Sequence, residues 1–389
     1  MKTVTMIAGI LCILIVLLDA FQTIILPRRA AGRLRLTRIF YILTWFPWRS
    51  FALRIRHPRK RETMLSFYGP LSLIFLLVVW ACGMVLGFSF IYFALGSPFN
   101  DSSRQVSYLS DLYVSGTNFF TLGLGDVTPR GPAPRVLSTL EAGTGFGFLA
   151  VIMGYFPVLY GAFSRREVSI SLLDARAGSP PTAAELLRRH SFDGAESALA
   201  ILLSEWERWS AELLESHISY TLLCYYRSQH TNQSWIGALT AILDTSALLI
   251  AGVRGHEARQ AQLTFAMARH AIVDLAQVFS LRPFENMPDR LPPDRYEQLY
   301  QMLCQSGVSV CRDGQSYERL RSLRALYEGY AAALSDRLCM PLPPWMPDQP
   351  HKDNWLAVAK VRNQAEAANS DKAIEPHNLA EVIEQHHEF

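Results

Sequence analysis

Apolar and polar positions divide the chain into two unlike parts. Three long apolar runs, at residues 4–26, 69–95 and 136–162, lie before residue 163. Each is long enough to cross a bilayer, because about 20 residues rising about 1.5 Å apiece span about 30 Å of hydrocarbon. Beyond them, charged and apolar residues alternate at helical spacing, as in a water-exposed helical domain. There, helices are predicted near 234–252, 256–280, 293–305 and 315–338, separated by Pro- and Gly-marked breaks such as RPFENMPDRLPPD. WERWSAELL places Trp206, Trp209, Leu213 and Leu214 on one stripe, which predicts a core face. Thr182 with Glu185, and Asp193 with Glu196, fit capping boxes.

These patterns give a division into an N-terminal transmembrane helix (1–27), a basic cytoplasmic or interfacial segment (28–63) and a two-helix membrane module (64–163). A linker (164–182), a helical domain (183–340) and a Pro-rich segment with a polar tail (341–389) follow. The first run contains Asp19 and is followed by proline and arginines where a cleaved leader would carry small residues, so it reads as a true span.

Charge sets the direction. The chain as a whole carries only +3, yet the segment between the first two spans holds Arg28, Arg29, Arg33, Arg35, Arg38, Arg49, Arg54, Arg56, Arg59, Lys60 and Arg61 against Glu62 alone. By the positive-inside rule this segment is cytoplasmic. The N-terminus is then outside, the 96–135 loop external, and everything after Arg165 and Arg166 inside. Within the basic segment, RLRLTRIFYILTWFPW is too short to span and predicts an interfacial helix, with Trp45 and Trp48 at headgroup level. Spans on both sides make the bilayer, not nucleic acid, the partner of these arginines.

Chemistry elsewhere is sparse. The six cysteines form no disulfide framework and read as reduced thiols. His190, His217, His230, His256 and His270 match no metal-ligand spacing. GTGFG lies inside a span with no strand before it, which excludes a dinucleotide fingerprint. No nucleotide-fold or cyclic-nucleotide pattern and no nucleophile–base arrangement appears in the cytoplasmic half, so neither an enzyme nor a cofactor is expected.

The informative stretch is SGTNFFTLGLGDVTP, residues 115–129. Residues 108–120 are apolar enough to enter a membrane and too few to cross it, so the chain is expected to dip in and return. Irregular backbone survives at that depth only when buried in protein or lining a watery path. Alternating glycines permit positive φ without a Cβ penalty, which turns successive carbonyls toward one side. Four copies about an axis would stack those oxygens into rings able to replace the hydration shell of a cation.

Here the chain resembles the tetrameric potassium channels, in particular the two-helix pore module with a T-V-G-Y-G-D type filter. The resemblance covers residues 69–163, under a third of the chain. It implies an all-α membrane protein that is a homotetramer with K+ as permeant ion, and it assigns Thr121, Leu122, Gly123, Leu124 and Gly125 to ion binding and Asp126 to the outer mouth. Gly145 falls at the inner-helix hinge position, and Pro157 removes a helical hydrogen bond; bending at either is the expected route to opening. Small-residue helix packing is an equal account of the single glycines.

Two positions depart from the family. Leu124 lacks the hydroxyl of the usual filter tyrosine, with Tyr113 and Val114 where an aromatic pair is common, and Thr117 replaces a glutamate found behind some filters. A weakly selective cation channel is therefore the rival within the class, and a non-conducting membrane-anchored scaffold the rival outside it.

Glu141 lies within the third run, where a carboxylate is costly and points to function. It shares a helical face with Gly145 and is expected behind the filter, bonded to Thr117 or Asn118; a titrating gate and attraction of cavity cations are the alternatives. Asp19 is expected to pair with Arg28 or Arg29. The gating stimulus and any cytoplasmic ligand are not legible.

Overall fold

The computed structural model describes residues 2–347 except 27–34, 102–106, 192–195, 231, 253–257, 286, 309 and 311–314. The polar tail, Arg28, Arg29 and the Asp193 capping box lie outside the described residues.

The chain is an all-α membrane protein with one small two-stranded ribbon. Helix α1 (Lys2–Ala20) ends in a π-helical turn at Phe21–Ile25 and leans on α3 (Pro58–Ala94). The two approach through small residues, as membrane helices do: a Cβ on Gly9 would stand 2.6 Å from the Gly87 carbonyl. Between them runs α2 (Leu36–Leu53), the short amphipathic helix of the basic segment. Among the described residues, Asp19 is held by Thr37 and Trp80. Its buried carboxylate accepts from the Thr37 amide and hydroxyl and from the Trp80 indole, so a residue of α1 caps the first turn of α2, satisfying donors that the helix itself leaves free.

After α3 come β1 (Phe99–Asp101), α4 (Tyr108–Phe119), β2 (Val127–Pro129) and α5 (Pro132–Ala177). At about 1.5 Å per residue, the 46 residues of α5 reach about 69 Å, more than twice the hydrocarbon thickness. Residues 164–177, expected as linker, thus continue the inner helix beyond the bilayer.

The remaining helices are α6 (Ala183–Arg189), α7 (Glu196–Ser219), α8 (Trp235–Gly252), α9 (Ala258–Val278), α10 (Pro293–Gln305), α11 (Ser316–Ala325) and α12 (Glu328–Leu338). The predicted 315–338 helix is thus two, broken at Leu326 and Tyr327. The Thr182 hydroxyl caps α6 by accepting from the Glu185 amide. The stripe of Trp206, Trp209, Leu213 and Leu214 is buried. Helix α8 is apolar and long enough to span a membrane, but nearly all its residues are buried inside the protein. A helix apolar all round is stable where protein surrounds it, and α8 is the axis of the helical domain. Its buried Asp244 accepts from both Arg290 nitrogens and from the Tyr327 hydroxyl, the pairing a buried charge requires.

The helical domain docks directly onto the membrane helices. Trp45 and Trp48, expected at headgroup level, both make contacts within the protein. The Trp45 indole is buried against Tyr68 and Tyr225 and donates to the Arg337 carbonyl, while Trp48 donates to that of Met64. Arg49 pairs with Asp336, and Arg227 bridges Glu62 to the Leu338 and Cys339 carbonyls. Most deeply set is Arg166 on α5. Its guanidinium pairs with Glu167, donates to the carbonyls of Leu223 and Tyr226, and meets His217 at 3.1 Å.

Burial first, and the adjacent Arg166 charge second, hold His217 well below the ordinary histidine range. The folded protein therefore keeps His217 neutral while the unfolded chain takes up a proton below about pH 6.5. Stability from this group is full above that pH and falls as pH drops, by at most about 1.4 kcal/mol per unit. Thermal melting of the purified protein between pH 7.5 and 5 is expected to show the decline, and His217→Gln to reduce it. Equal slopes for the two proteins would contradict the assignment.

Candidate functional site

Helix α4 enters from one side and stops after twelve residues, short of a crossing. The chain then turns back as an irregular strand of backbone, with no regular secondary structure at 122–125. Thr121, Gly123 and Gly125 have φ of 56°, 54° and 78°, while Leu122 and Leu124 between them do not enter the positive region. The two glycines adopt this conformation freely. Thr121 does so at a steric cost that a β-branched residue ordinarily avoids, and its strain was not legible from the glycine pattern.

The strand is held from behind. The Thr117 carbonyl accepts from the Leu122 amide at 2.8 Å and lies 3.5 Å from that of Gly123, and the Asn118 carbonyl accepts from Thr121. At the far end, the Tyr113 hydroxyl donates to Asp126 at 2.9 Å, so α4 grips the strand at both ends. Beyond Asp126, β2 pairs antiparallel with β1, Phe99 opposite Pro129 and Asp101 opposite Val127. This ribbon ties the returning chain to the end of α3.

Glu141 is fully buried where α3, α4 and α5 meet. It accepts from Ser115, from the Tyr92 hydroxyl at 3.0 Å and from Asn118 at 3.3 Å. The expected contact with Asn118 is present. Thr117 turns its hydroxyl to the Val114 carbonyl instead, and supports the strand through its main chain. Ser115 and Tyr92 were missed: Ser115 lies one turn before Asn118 on the same face of α4, a signal the sequence did carry, whereas Tyr92 reaches the site only through packing.

Gly145 has a steric purpose. A Cβ there would stand 1.9 Å from the Phe119 carbonyl oxygen, so α5 touches the last turn of α4 only because this side chain is missing. Gly143, Gly147 and Gly154 face open space. Pro157 lies about 18 Å further along α5 at about 1.5 Å per residue, outside this cluster and within a continuous helix. On the single chain, Phe120, Leu122 and Leu124 are 58%, 61% and 63% exposed. Three large apolar side chains beside an irregular backbone require a covering surface.

Residues 75–159, which contain this whole arrangement, match the family model for ion channels. The chain is 25% identical over 288 residues to an uncharacterized membrane protein, YdjJ of Bacillus subtilis, covering 72% of this chain and 81% of the relative. It is 38% identical over 93 residues to Protein LctB of Bacillus caldotenax, and 37% identical to that of Geobacillus stearothermophilus. Each alignment covers 21% of this chain and 69% of the relative. No solved structure matches the chain significantly.

The Glu141 geometry makes a sharp expectation. In Glu141→Gln, a carboxamide oxygen still accepts from Tyr92 and Asn118, and its NH2 donates to Ser115, whose own proton goes to the Val85 carbonyl 2.8 Å away. Glu141→Ala strands these groups at about 1–3 kcal/mol each. Melting of the purified protein should be near wild type for the first and clearly lowered for the second; equal losses would contradict the hydrogen-bonded brace. Gly145→Ala should likewise destabilise by more than the few tenths of a kcal/mol typical of surface changes, since backbone must move; a neutral effect in the same melt would exclude the close approach.

Proposed function

The chain belongs to the ion channel family through residues 75–159, and on that premise we propose that it is a potassium-selective homotetramer conducting passively through Thr121–Asp126. The observation that carries this reading is the alternation of φ along 121–125 on a strand whose apolar flanks lie open on one chain. Alternating left- and right-handed residues swing successive carbonyls to one side. Four copies around an axis stack those oxygens into rings that replace the water of a dehydrated cation, with the Thr121 hydroxyl innermost. The neighbouring copies cover Phe120, Leu122 and Leu124, and four Asp126 carboxylates give the outer mouth a negative potential.

In this reading Glu141 braces the filter from behind, and α5 lines the inner pathway. The N-terminus lies outside and the helical domain on the cytoplasmic side of the plasma membrane, an orientation that the arginine-rich segment supports through the positive-inside rule. Gating follows from continuity: Arg166 fastens the end of α5 to the helical domain, so movement of that domain is delivered to the helix, with Pro157 as the weak point. Bending at Gly145 would lever α4 as well, because the two backbones touch there.

A second reading is favoured by one feature. Leu124 has no hydroxyl to tie the filter's middle to α4, whose outer grip is the single Tyr113–Asp126 bond, and a looser filter discriminates less between monovalent cations. Ion flux into liposomes containing the purified protein separates the readings. Potassium uptake well above sodium, abolished by Gly123→Asp, is expected. Comparable sodium uptake would decide for weak selectivity, and absence of flux across pH and voltage would decide for a scaffold.

A further inference from the structure

A cavity of about 550 Å³ lies where the membrane helices meet the helical domain, far from the filter. Its polar end is formed by Gln22 and Thr23 from the π-helical turn of α1, Arg35 and Arg38 at the start of α2, and Ser280 and Arg337 from the helical domain. Its other wall is apolar, made by Ile42 of α2 and by Leu73, Leu76, Leu77 and Trp80 of α3. Every charged side chain on the wall, among the described residues, is an arginine. Arg35 and Arg38 have no carboxylate partner there; Arg35 donates to the Thr23 hydroxyl and Arg38 to that of Ser280. The buried Nε of Arg35 and that of Arg337 have no acceptor at all, a costly state for a guanidinium out of water. The one nearby anion, Asp19, lies behind Thr37 and Trp80, with its oxygens already occupied by their three donors.

We propose that this cavity binds an anionic phospholipid of the cytoplasmic leaflet, its phosphate at Arg35, Arg38 and Arg337 and the start of its acyl chains against Leu73, Leu77 and Trp80. Three features select a lipid over a free anion. The volume suits a headgroup with its glycerol and first methylenes, within the range of small-molecule sites. The apolar wall belongs to α3, a span whose neighbouring Ile74 and Phe75 are exposed as lipid-facing residues are, so the cavity sits at leaflet depth. The π-helical turn at its polar end is a local irregularity of the kind that accompanies functional sites. Basic pockets between membrane helices on the cytoplasmic side take phosphate-bearing headgroups for the same electrostatic reason. The bound lipid touches α1, α2, α3, Tyr155 of α5 and the helical domain at once, which makes it a cement between the parts.

The experiment counts lipid, not current. Full-length protein purified in mild detergent is exposed to micelles containing phosphatidylglycerol or phosphatidylcholine, and retained lipid is read by native mass spectrometry. Wild type should retain phosphatidylglycerol with about tenfold or greater preference, as two or three arginines at a membrane surface would give. Arg35→Gln with Arg38→Gln should lower that preference to about twofold or less by the same reasoning. Leu77→Trp keeps every charge but fills the apolar end, and should lose retention too; this separates the cavity from general attraction to the basic segment. Arg54→Gln with Arg56→Gln, on exposed positions outside the cavity, should retain lipid as wild type does. Retention unchanged by Leu77→Trp in a protein that still melts cooperatively would overturn the proposal. So would displacement of the phospholipid by millimolar inorganic phosphate, which would make the site one for free anions.

Discussion

A strand with unpaired amides and carbonyls cannot face hydrocarbon, and the membrane half of this protein is arranged around that prohibition. Residues 121–126 are irregular, and what holds them is polar contact from a single short helix: two carbonyls at the end of α4 and one tyrosine at its middle. That helix is in turn pinned by Glu141, whose oxygens gather donors from α3 and α4, and by the bare Cα of Gly145. The buried carboxylate, costly by itself, is sustained because it satisfies groups that would otherwise be stranded.

The same logic of polar groups closing one another runs through the junction with the helical domain. Arg166 and the Trp45 indole both end on main-chain carbonyls of the helical domain. Main-chain acceptors do not rotate away, so these are stiff links rather than loose ion pairs. Asp19 belongs to this scheme as well: by capping α2 from α1 it makes the additional N-terminal span part of the mechanical unit.

Sequence carried the architecture because membrane helices announce themselves by length and apolarity, and the re-entrant segment by being too short. The three long apolar helices, the existence of the short amphipathic helix and the core stripe of α7 could be read directly. What could not be read depends on packing between distant segments. The extension of α5 to Ala177 was hidden by charged residues that are compatible with either helix or linker. Trp45 reads as an interfacial anchor by composition, yet Tyr68 and Tyr225, far away in sequence, claim it. Glycine at 145 suited a hinge and close helix packing equally; the approach of Phe119 shows that packing needs it, and no local pattern distinguishes the two. The cap that Asp19 places on α2 was likewise not legible, since Thr37 and Trp80 reach it only through packing.

The central claim is that backbone oxygens from four copies form one ion site, and this is tested most directly by the mass and melting temperature of the purified assembly in different cations. An ion bound only by the assembled filter must stabilise the assembly by mass action. A mass of four chains is expected, with a melting temperature that rises in potassium relative to a large organic cation. A monomeric mass, or a tetramer whose melting is the same in potassium, sodium and N-methylglucamine, would contradict it.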